Sequence, residues 1–428
     1  MPDKVNNPQI RFEGFTDAWE QRKLDEVFDC TVPNNTLSRA ELSFDEGTVL
    51  NVHYGDVLIK YGSVLDVQKD DIPRIPHSCR EDFNGALLQD GDVIIADTAE
   101  DETTGKACEI SNSQGSAIVS GLHTMVFRPR HRMALGYLGY YLNSNAYHHQ
   151  LLPLMQGIKV LSLSRSNIQK TSVSYPIEVK EQKFIANYFS QLDRLITLHQ
   201  HKYDKLQILK KAMLEKMFPK NGSSVPEIRF KGFTDAWEQR KLSEIAGKVT
   251  EKNTGLQYVE TLTNSAEFGI ISQRDFFDHD ISKLGSLDGY YIVRNEDFVY
   301  NPRISTSAPV GPINRNKLGR TGVMSPLYTV FRPHDIDTTY LEHFFKCGYW
   351  YSFMNFNGDS GARSDRFSIK DDVFFQMPIP VPHIEEQRKI GLFLTQLDHL
   401  ITLHQRKRLG RYKKAPFVPA KRSELCKL

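Results

Sequence analysis

Across residues 181–218 the apolar positions advance in alternating steps of four and three: Ile185, Phe189, Leu192, Ile196, His199, Tyr203, Leu206, Lys210, Met213 and Met217, eight of the ten apolar. No Gly or Pro interrupts the stretch. The spacing predicts one continuous helix with a coiled-coil seam, roughly 57 Å long at about 1.5 Å per residue. Residues 219–226, which hold Pro219, Gly222, Ser223 and Ser224, read as the linker that stops it. A lone exposed rod cannot bury such a stripe. The expected partner is a second helix over residues 386–408, where Ile390, Leu394, Leu397, Ile401 and His404 repeat the seam. An antiparallel pair of this kind relates the two halves of the chain by a pseudo-twofold axis, with His199 and His404 as a polar layer that fixes register.

Between these helices the pattern shortens. Apolar or alternating runs predict strands at residues 56–60, 91–96 and 121–129 in the first half and at 297–300 and 327–333 in the second, with helical spacing following at 135–152 and 339–356. The fold class is therefore α/β of the mixed α+β kind: two similar globular domains joined by long helices that form an antiparallel coiled coil. The expected boundaries are a first domain over residues 1–180, helix 181–218, linker 219–226, a second domain over 227–385, a shortened helix 386–408, and a basic irregular tail over 409–428.

Repetition sharpens this division. The eleven residues GFTDAWEQRKL at 14–24 return unchanged at 232–242, and seventeen flanking and central positions carry only two changes. A second repeat, Glu181-Gln182 through QLDRLITLHQ, returns from Glu386-Gln387 through QLDHLITLHQ. Each half thus opens and closes alike while its middle differs. After His404 the second copy diverges: Arg408 and Arg411 stand where the seam has Tyr203 and Leu206, and Gly410, Pro416 and Pro419 break the pattern. One choice of codons for residues 409–420, shifted by one base, reads as an amphipathic helix. A frame slip is the expected origin of the tail, and the gene sequence tests it.

Composition changes the picture only locally. The 428 residues are 40% hydrophobic and 25% charged, as in soluble globular proteins, with no low-complexity tract, and the length fits two domains. No apolar run reaches the roughly 20 residues of a membrane span and no signal-peptide core follows Met1, so a cytoplasmic location is expected. The five cysteines are scattered, without metal-ligand spacing, and no metal site is expected. The net charge is +2, yet residues 406–428 hold nine Lys or Arg against one Glu, which leaves −6 for the rest. Any polyanion-binding surface on the body must be built by a few loops.

Taken in order, Trp-x-x-x-x-Leu (Trp19 to Leu24, Trp237 to Leu242), a strand-rich variable domain closing on a Pro-rich strand (Tyr175-Pro176-Ile177; Met377-Pro378-Ile379-Pro380), and the Glu-Gln-x-x-Ile helix resemble the specificity subunit of type I restriction-modification enzymes. The resemblance spans nearly the whole chain. It implies two target-recognition domains, each reading one half of a bipartite gapped double-stranded DNA site, with the helices as a ruler. It also implies docking of two methyltransferase subunits and of restriction/translocase subunits. The complex would use S-adenosylmethionine, ATP and Mg, none of them bound by this chain.

Candidate DNA contacts come from donor-rich loops placed alike in the two halves. In the first they are Lys159, Ser164, Arg165, Asn167 and Lys170; in the second Arg303, Arg363, Ser364, Arg366 and Lys370. Arg makes bidentate bonds to guanine and Asn to adenine, while Lys and Ser hold phosphates. The stretch 301–307 faces an expected equivalent at 97–101 that differs sharply in charge. Catalytic signatures are lacking: Thr103-Thr104-Gly105-Lys106 is no phosphate loop, and no glycine-rich cofactor fingerprint or nucleophile elbow occurs. The chain is expected not to be an enzyme by itself. Acidic residues 275–280 read as solvated turns. The rival readings are a protein-binding scaffold, a free-standing DNA-binding regulator, and a specificity subunit made inactive by its tail.

Overall fold

Short strands that are buried on both faces require apolar runs, and the centre of each half supplies them. The computed structural model describes residues 8–220, 223–277, 284–359 and 365–412. It divides into two compact units, one comprising Met1–Gln200 together with Arg406–Leu428 and the other His201–Gln405. In the first, five strands lie in the order Phe28–Asp29, Thr124–Pro129, Val93–Ala96, Ala107–Ser111, Val64–Asp66. The second repeats four of them as Ala246–Lys248, Thr329–Pro333, Phe298–Tyr300 and Ile313–Arg315. Every residue of Val93–Ala96 and Ala107–Ser111 is buried, as are all three of Phe298–Tyr300. The first unit adds a three-stranded sheet in which Val49–Val52 runs parallel to Ala117–Ser120.

The repeated eleven residues have a single task in both units. Glu20–Lys23 pairs antiparallel with Ser172–Tyr175, and Glu238–Lys241 pairs with Pro378–Val381. The next residue, Leu24 or Leu242, is fully buried, and its amide donates to the carbonyl of Thr171 or Met377 at 2.9 Å in both cases. Pro378 and Pro380 are tolerated because their strand is paired on one side only.

The long helices run Val179–Lys216 and Ile384–Tyr412. The first ends two residues before the expected stop, because Met217 and Phe218 leave the helix to enter the core of the second unit. The second continues past the expected end at residue 408 and through Gly410. A single helical Gly costs only about 1 kcal/mol, which does not terminate a helix that is otherwise in register. The run at 56–60, expected as a strand, is helical instead: Tyr54–Ile59 is capped by His53, whose ring nitrogen accepts from the Gly55 amide at 3.2 Å. Three consecutive apolar residues, Val57, Leu58 and Ile59, fit either period, and the cap decides. Arg363, Ser364, residues 278–280 and the tail from 413 lie outside the described residues.

Within the second unit the two helices run antiparallel. Lys210 ion-pairs Asp398, and Phe218, eight residues on, packs against Tyr340 with ring centroids 5.4 Å apart. The Tyr340 amide in turn lies against Gly391, seven residues before Asp398. Leu206, Met213 and Leu214 pack on the cluster that contains Ile390, Leu394 and Leu397. Of the remaining seam residues, Ile185, Phe189, Leu192, Ile196 and Tyr203 are half-buried, His199 is buried, Ile401 is buried and His404 is half-buried.

Candidate nucleic-acid interface

Two variable domains can present different loops in the same place only if their frames are the same, and the frame is built from duplicated ion pairs. Arg11 forks onto the buried Glu181 carboxylate at 2.7 and 2.7 Å; Arg229 forks onto Glu386 at 2.7 and 2.8 Å. Arg128 grips Asp92 at 2.9 and 2.7 Å, and Arg332 grips Asp297 at 2.7 and 2.8 Å. Gln182 accepts from the Ala134 amide and donates to the Pro176 carbonyl; Gln387 does the same with Asp337 and Pro382. Tyr137 and Tyr340 each donate to a carbonyl of the closing strand, Ser174 or Pro380. Bidentate charge-assisted bonds fix orientation as well as distance. Of these residues the sequence repeats displayed Arg11, Arg229, Glu181, Gln182, Glu386 and Gln387. The Asp92–Arg128 and Asp297–Arg332 forks were missed, although Gly-Asp/Glu-Asp before a strand and Phe-Arg-Pro at the end of one recur in both halves.

On this frame the variable loops converge in pairs. In the second unit Ile304 N donates to the Asp365 carbonyl at 3.0 Å and Phe367 N to the Pro302 carbonyl at 2.7 Å. Arg303 and Arg366 stand directly opposite each other between those bonds. Such a non-hydrogen-bonded antiparallel pair brings its side chains closest, with both on one face. Arg303 is exposed and Arg366 half-buried, and among the described residues neither guanidinium has an ion-pair partner. Two unpaired cations held side by side are unfavourable in water alone, and an anion relieves them.

The first unit builds the same seat with other chemistry. Thr98–Ala99 pairs with Leu161–Ser162, placing Thr98 opposite Ser162, and Leu163 N donates to the Asp97 carbonyl at 2.8 Å. Asp97 also accepts from the Thr98 hydroxyl at 2.7 Å and lies 3.3 Å from the His123 ring. Two hydroxyls beside a carboxylate thus occupy the place of two guanidinium groups. The expected equivalence of residues 97–101 with 301–307 is realised as this pairing, but Thr98 and Ser162 were not among the expected contacts.

The other expected residues are distributed around the seats. Lys159 is exposed beside Ile158 and Val160, which are also exposed. Ser164 caps a short helix, Arg165–Ile168, and accepts from Asn167 N. Arg165 turns inward to donate to the Cys30 carbonyl, so its guanidinium serves the fold. Asn167 is half-buried in the same turn, and Lys170 is exposed at its end. In the second unit Lys370 holds the N-cap position of the equivalent helix Asp371–Phe374. Ile168 and Phe374, both buried, anchor those helices.

Behind each seat the central sheet carries a further difference. Glu109, opposite Val93, accepts from the amides of Gly136 and Gly139 at 2.8 Å each. Its counterpart, opposite Phe298, is Arg315, which ion-pairs Glu342 at 2.7 Å and donates to Thr338 and Thr339. Burial pushes Glu109 up to about 7, against the pull of the Gly139 and Gly136 amides. Glu342, although buried, is held down to about 2 by Lys346 and Lys317. Charge has been exchanged across an otherwise equivalent packing site.

Duplicated frames carrying unlike seats are the signature of a protein that reads two different things by one method. The family model of the type I restriction modification DNA specificity domain matches residues 16–208 and again 234–410. The chain belongs to this family. Each match covers one strand clamp, one sheet and one long helix, so the specificity domain coincides with the repeated unit. A relative named as the type I restriction enzyme MjaX specificity subunit, from Methanocaldococcus jannaschii, is 24% identical over 376 residues, covering 82% of this chain and 79% of its own. The S subunit of a type I restriction-modification system from M. genitalium shares the fold, with a TM-score of 0.53 at 11% identity, covering 95% of this chain and 96% of that one. The HsdS subunit from Thermoanaerobacter tengcongensis gives a TM-score of 0.46 at 17% identity over 91% of each chain. Among the described residues no helix is long and apolar enough to cross a membrane. No group of three His, Cys, Asp or Glu among them is placed to hold a metal ion.

Proposed function

We propose that this specificity subunit reads a bipartite, gapped DNA sequence, the first unit through the Thr98–Ser162 seat with Asp97 and the second through the Arg303–Arg366 seat. The observation that carries the reading is the contrast between duplicated Arg–carboxylate frames and chemically opposite seats at the same ladder position. Arg303 and Arg366 suit guanine or phosphate oxygens, whereas hydroxyls and a carboxylate suit base amino groups. Lys159, Ser164, Asn167, Lys170 and Lys370 flank the seats as backbone contacts, and Arg363 and Ser364 belong to the same loop by sequence. The long helices set the spacing of the half-sites, as dimer geometry does in simpler readers. Two methyltransferase subunits dock on the helices and supply S-adenosylmethionine; restriction/translocase subunits supply ATP- and Mg-dependent translocation and cleavage. The chain contributes recognition and no catalytic group, in the cytoplasm.

The test is co-expression with the neighbouring methyltransferase subunit in an unmethylated host, followed by mapping of methylated bases across the genome. An asymmetric gapped motif with two unlike half-sites is expected. Absence of new methylation while a soluble complex forms, together with no salt-dependent DNA affinity, would overturn the reading in favour of a protein-binding scaffold.

A further inference from the structure

We propose that His123 reads a base beside the Thr98–Ser162 seat of the first unit, with Asp97 as its positioning residue, the base being one that presents an amino group in the major groove. The inference rests on the DNA reading proposed above and adds a residue that the seat alone leaves out. His123 stands immediately before the strand Thr124–Pro129, one step beyond the pair of Thr124 with Ala96, and so faces Asp97 across the ladder. The contact is made twice: Asp97 N donates to the His123 carbonyl at 3.1 Å, and Nδ1 of the ring lies 3.3 Å from Asp97 Oδ1. The same Asp97 oxygen accepts from the Thr98 hydroxyl at 2.7 Å, and the Asp97 carbonyl accepts from Leu163 N, next to Ser162. The ring is thus tied through one residue to both sides of the seat.

The backbone holds the ring in place. His123 has a φ of +53°, a left-handed conformation that L side chains rarely adopt. The turn is fixed on both sides of it: Gly121 N donates to the Val52 carbonyl at 2.9 Å, and Thr124 is held opposite Ala96. Tyr54 meets the imidazole edge-on with ring centroids 5.3 Å apart, and His53 lies 4.7 Å behind Tyr54. The His123 side chain nevertheless stays 47% exposed. Because a carboxylate only accepts, its partner nitrogen is Nδ1–H, which leaves Nε2 of the neutral ring as an acceptor. Such an acceptor suits the N6 amino group of adenine or the N4 amino group of cytosine.

Comparison of the units assigns this pair to the reading surface and not to the frame. The forks relate Asp92 to Asp297 and Arg128 to Arg332, and the ladder pairs Val93–Phe127 and Phe298–Phe331 agree with them. Counted from there, Thr98 corresponds to Arg303, Asp97 to Pro302 and His123 to Leu327. The bonds of Leu163 N to the Asp97 carbonyl and of Phe367 N to the Pro302 carbonyl fit the same correspondence. Residues that hold the frame are alike in the two units, whereas here an acid and an imidazole stand where the second unit has a proline and a leucine. Leu327 is 60% exposed. Exposure is retained at this position while the chemistry is exchanged, as between the seats themselves.

The experiment is methylome mapping of full-length variants co-expressed with the methyltransferase subunit. His123→Gly removes the ring and suits the left-handed backbone, so the complex should still form. Discrimination should fall by at least about tenfold at one position of one half-site, with the other half-site intact. Thr98→Ala with Ser162→Ala should relax a position in that same half-site. Asp97→Asn gives Nδ1 a partner that can donate, so Nε2 can carry the proton, and the preference at the His123 position should move toward guanine or thymine. A purely structural role for His123 predicts instead less methylation at an unchanged motif, and that result would overturn the proposal. So would an Asp97→Asn chain whose preference at that position is unaltered, or relaxation of opposite half-sites by the His123 and seat variants. A half-site relaxed by the Thr98 and Ser162 changes but untouched by His123→Gly would overturn this proposal alone. Relaxation by His123→Gly with no effect of the seat changes would uphold His123 and remove the seat, and a wild-type chain that yields no gapped motif would overturn both.

Discussion

Glu181 and Glu386 have side chains only 1% and 0% exposed, and an arginine forks onto both oxygens of each. Removing one partner of such a pair leaves a buried charge without compensation, which costs about 3 kcal/mol. Arg229→Ala should therefore lower the stability of the second unit by about that amount, and Arg11→Ala that of the first, with little coupling between them because they share no partner. Urea unfolding of the two single variants and the double variant measures both the size and the additivity. Glu109 makes a different prediction. Its folded-state value of about 7 lies above the ordinary 4.5 because burial favours the proton. Its contribution is therefore fully present below about 4.5 and is lost as pH rises through 7, where the loss reaches roughly 3 kcal/mol. Glu109→Gln should flatten the fall in unfolding midpoint between pH 4.5 and 8, whatever offset the lost acceptor introduces. An unchanged slope would mean that another group titrates there.

At the scale of elements, the seam shows why pattern and packing must be kept apart. Leu192 and Leu397 are equivalent by sequence, yet the first is half-buried and the second 6% exposed. Leu397→Ala should cost about 3 kcal/mol, in the range of buried leucine truncations, whereas Leu192→Ala should cost less than about 1 kcal/mol. Thermal denaturation of the two variants distinguishes them, and equal losses would show that the first seam is covered as well as the second. The helices themselves were legible because 38 residues without Gly or Pro leave one period standing. The strand clamps were legible as a repeat, but not as a pair of strands, since Glu-Gln-Arg-Lys carries no apolar alternation and its pairing is set by the closing Pro-rich strand. The helix at Tyr54–Ile59 was misread because a short apolar run has no distinguishing period, and its cap is a histidine, outside the usual Ser, Thr, Asp and Asn. The size exchange at the helix–domain contact was also invisible in advance. Gly136 faces Ala186 in one unit and Thr339 faces Gly391 in the other, so bulk moves from one side to the other while the gap stays filled.

For the molecule as a whole, duplication separates two properties that are joined in most DNA-reading proteins: the frame is fixed by Arg–carboxylate forks, while the seat is free to change. Arg303 and Arg366 were legible as residues of donor-rich loops, but Thr98, Ser162 and the pairing across those loops were not, because it joins segments more than 60 residues apart in both units. The separation has a testable consequence. Giving the second unit the first unit's chemistry, Arg303→Thr with Arg366→Ser, replaces two exposed or half-exposed side chains and leaves both forks intact, so folding should be unaffected. If the two guanidinium groups hold phosphates, the methylated motif should keep its sequence while the salt slope of log K falls by roughly 2, near 0.9 per phosphate contact. If they read guanine, the half-site assigned to the second unit should relax at one or two positions, each worth about 1–3 kcal/mol of discrimination, while the other half-site stays as it was. Methylome mapping with DNA-binding titrations at several salt concentrations decides between these. A variant that folds and retains both its motif and its salt slope would show that the seat does not touch DNA, and that recognition in the second unit lies elsewhere on its loops.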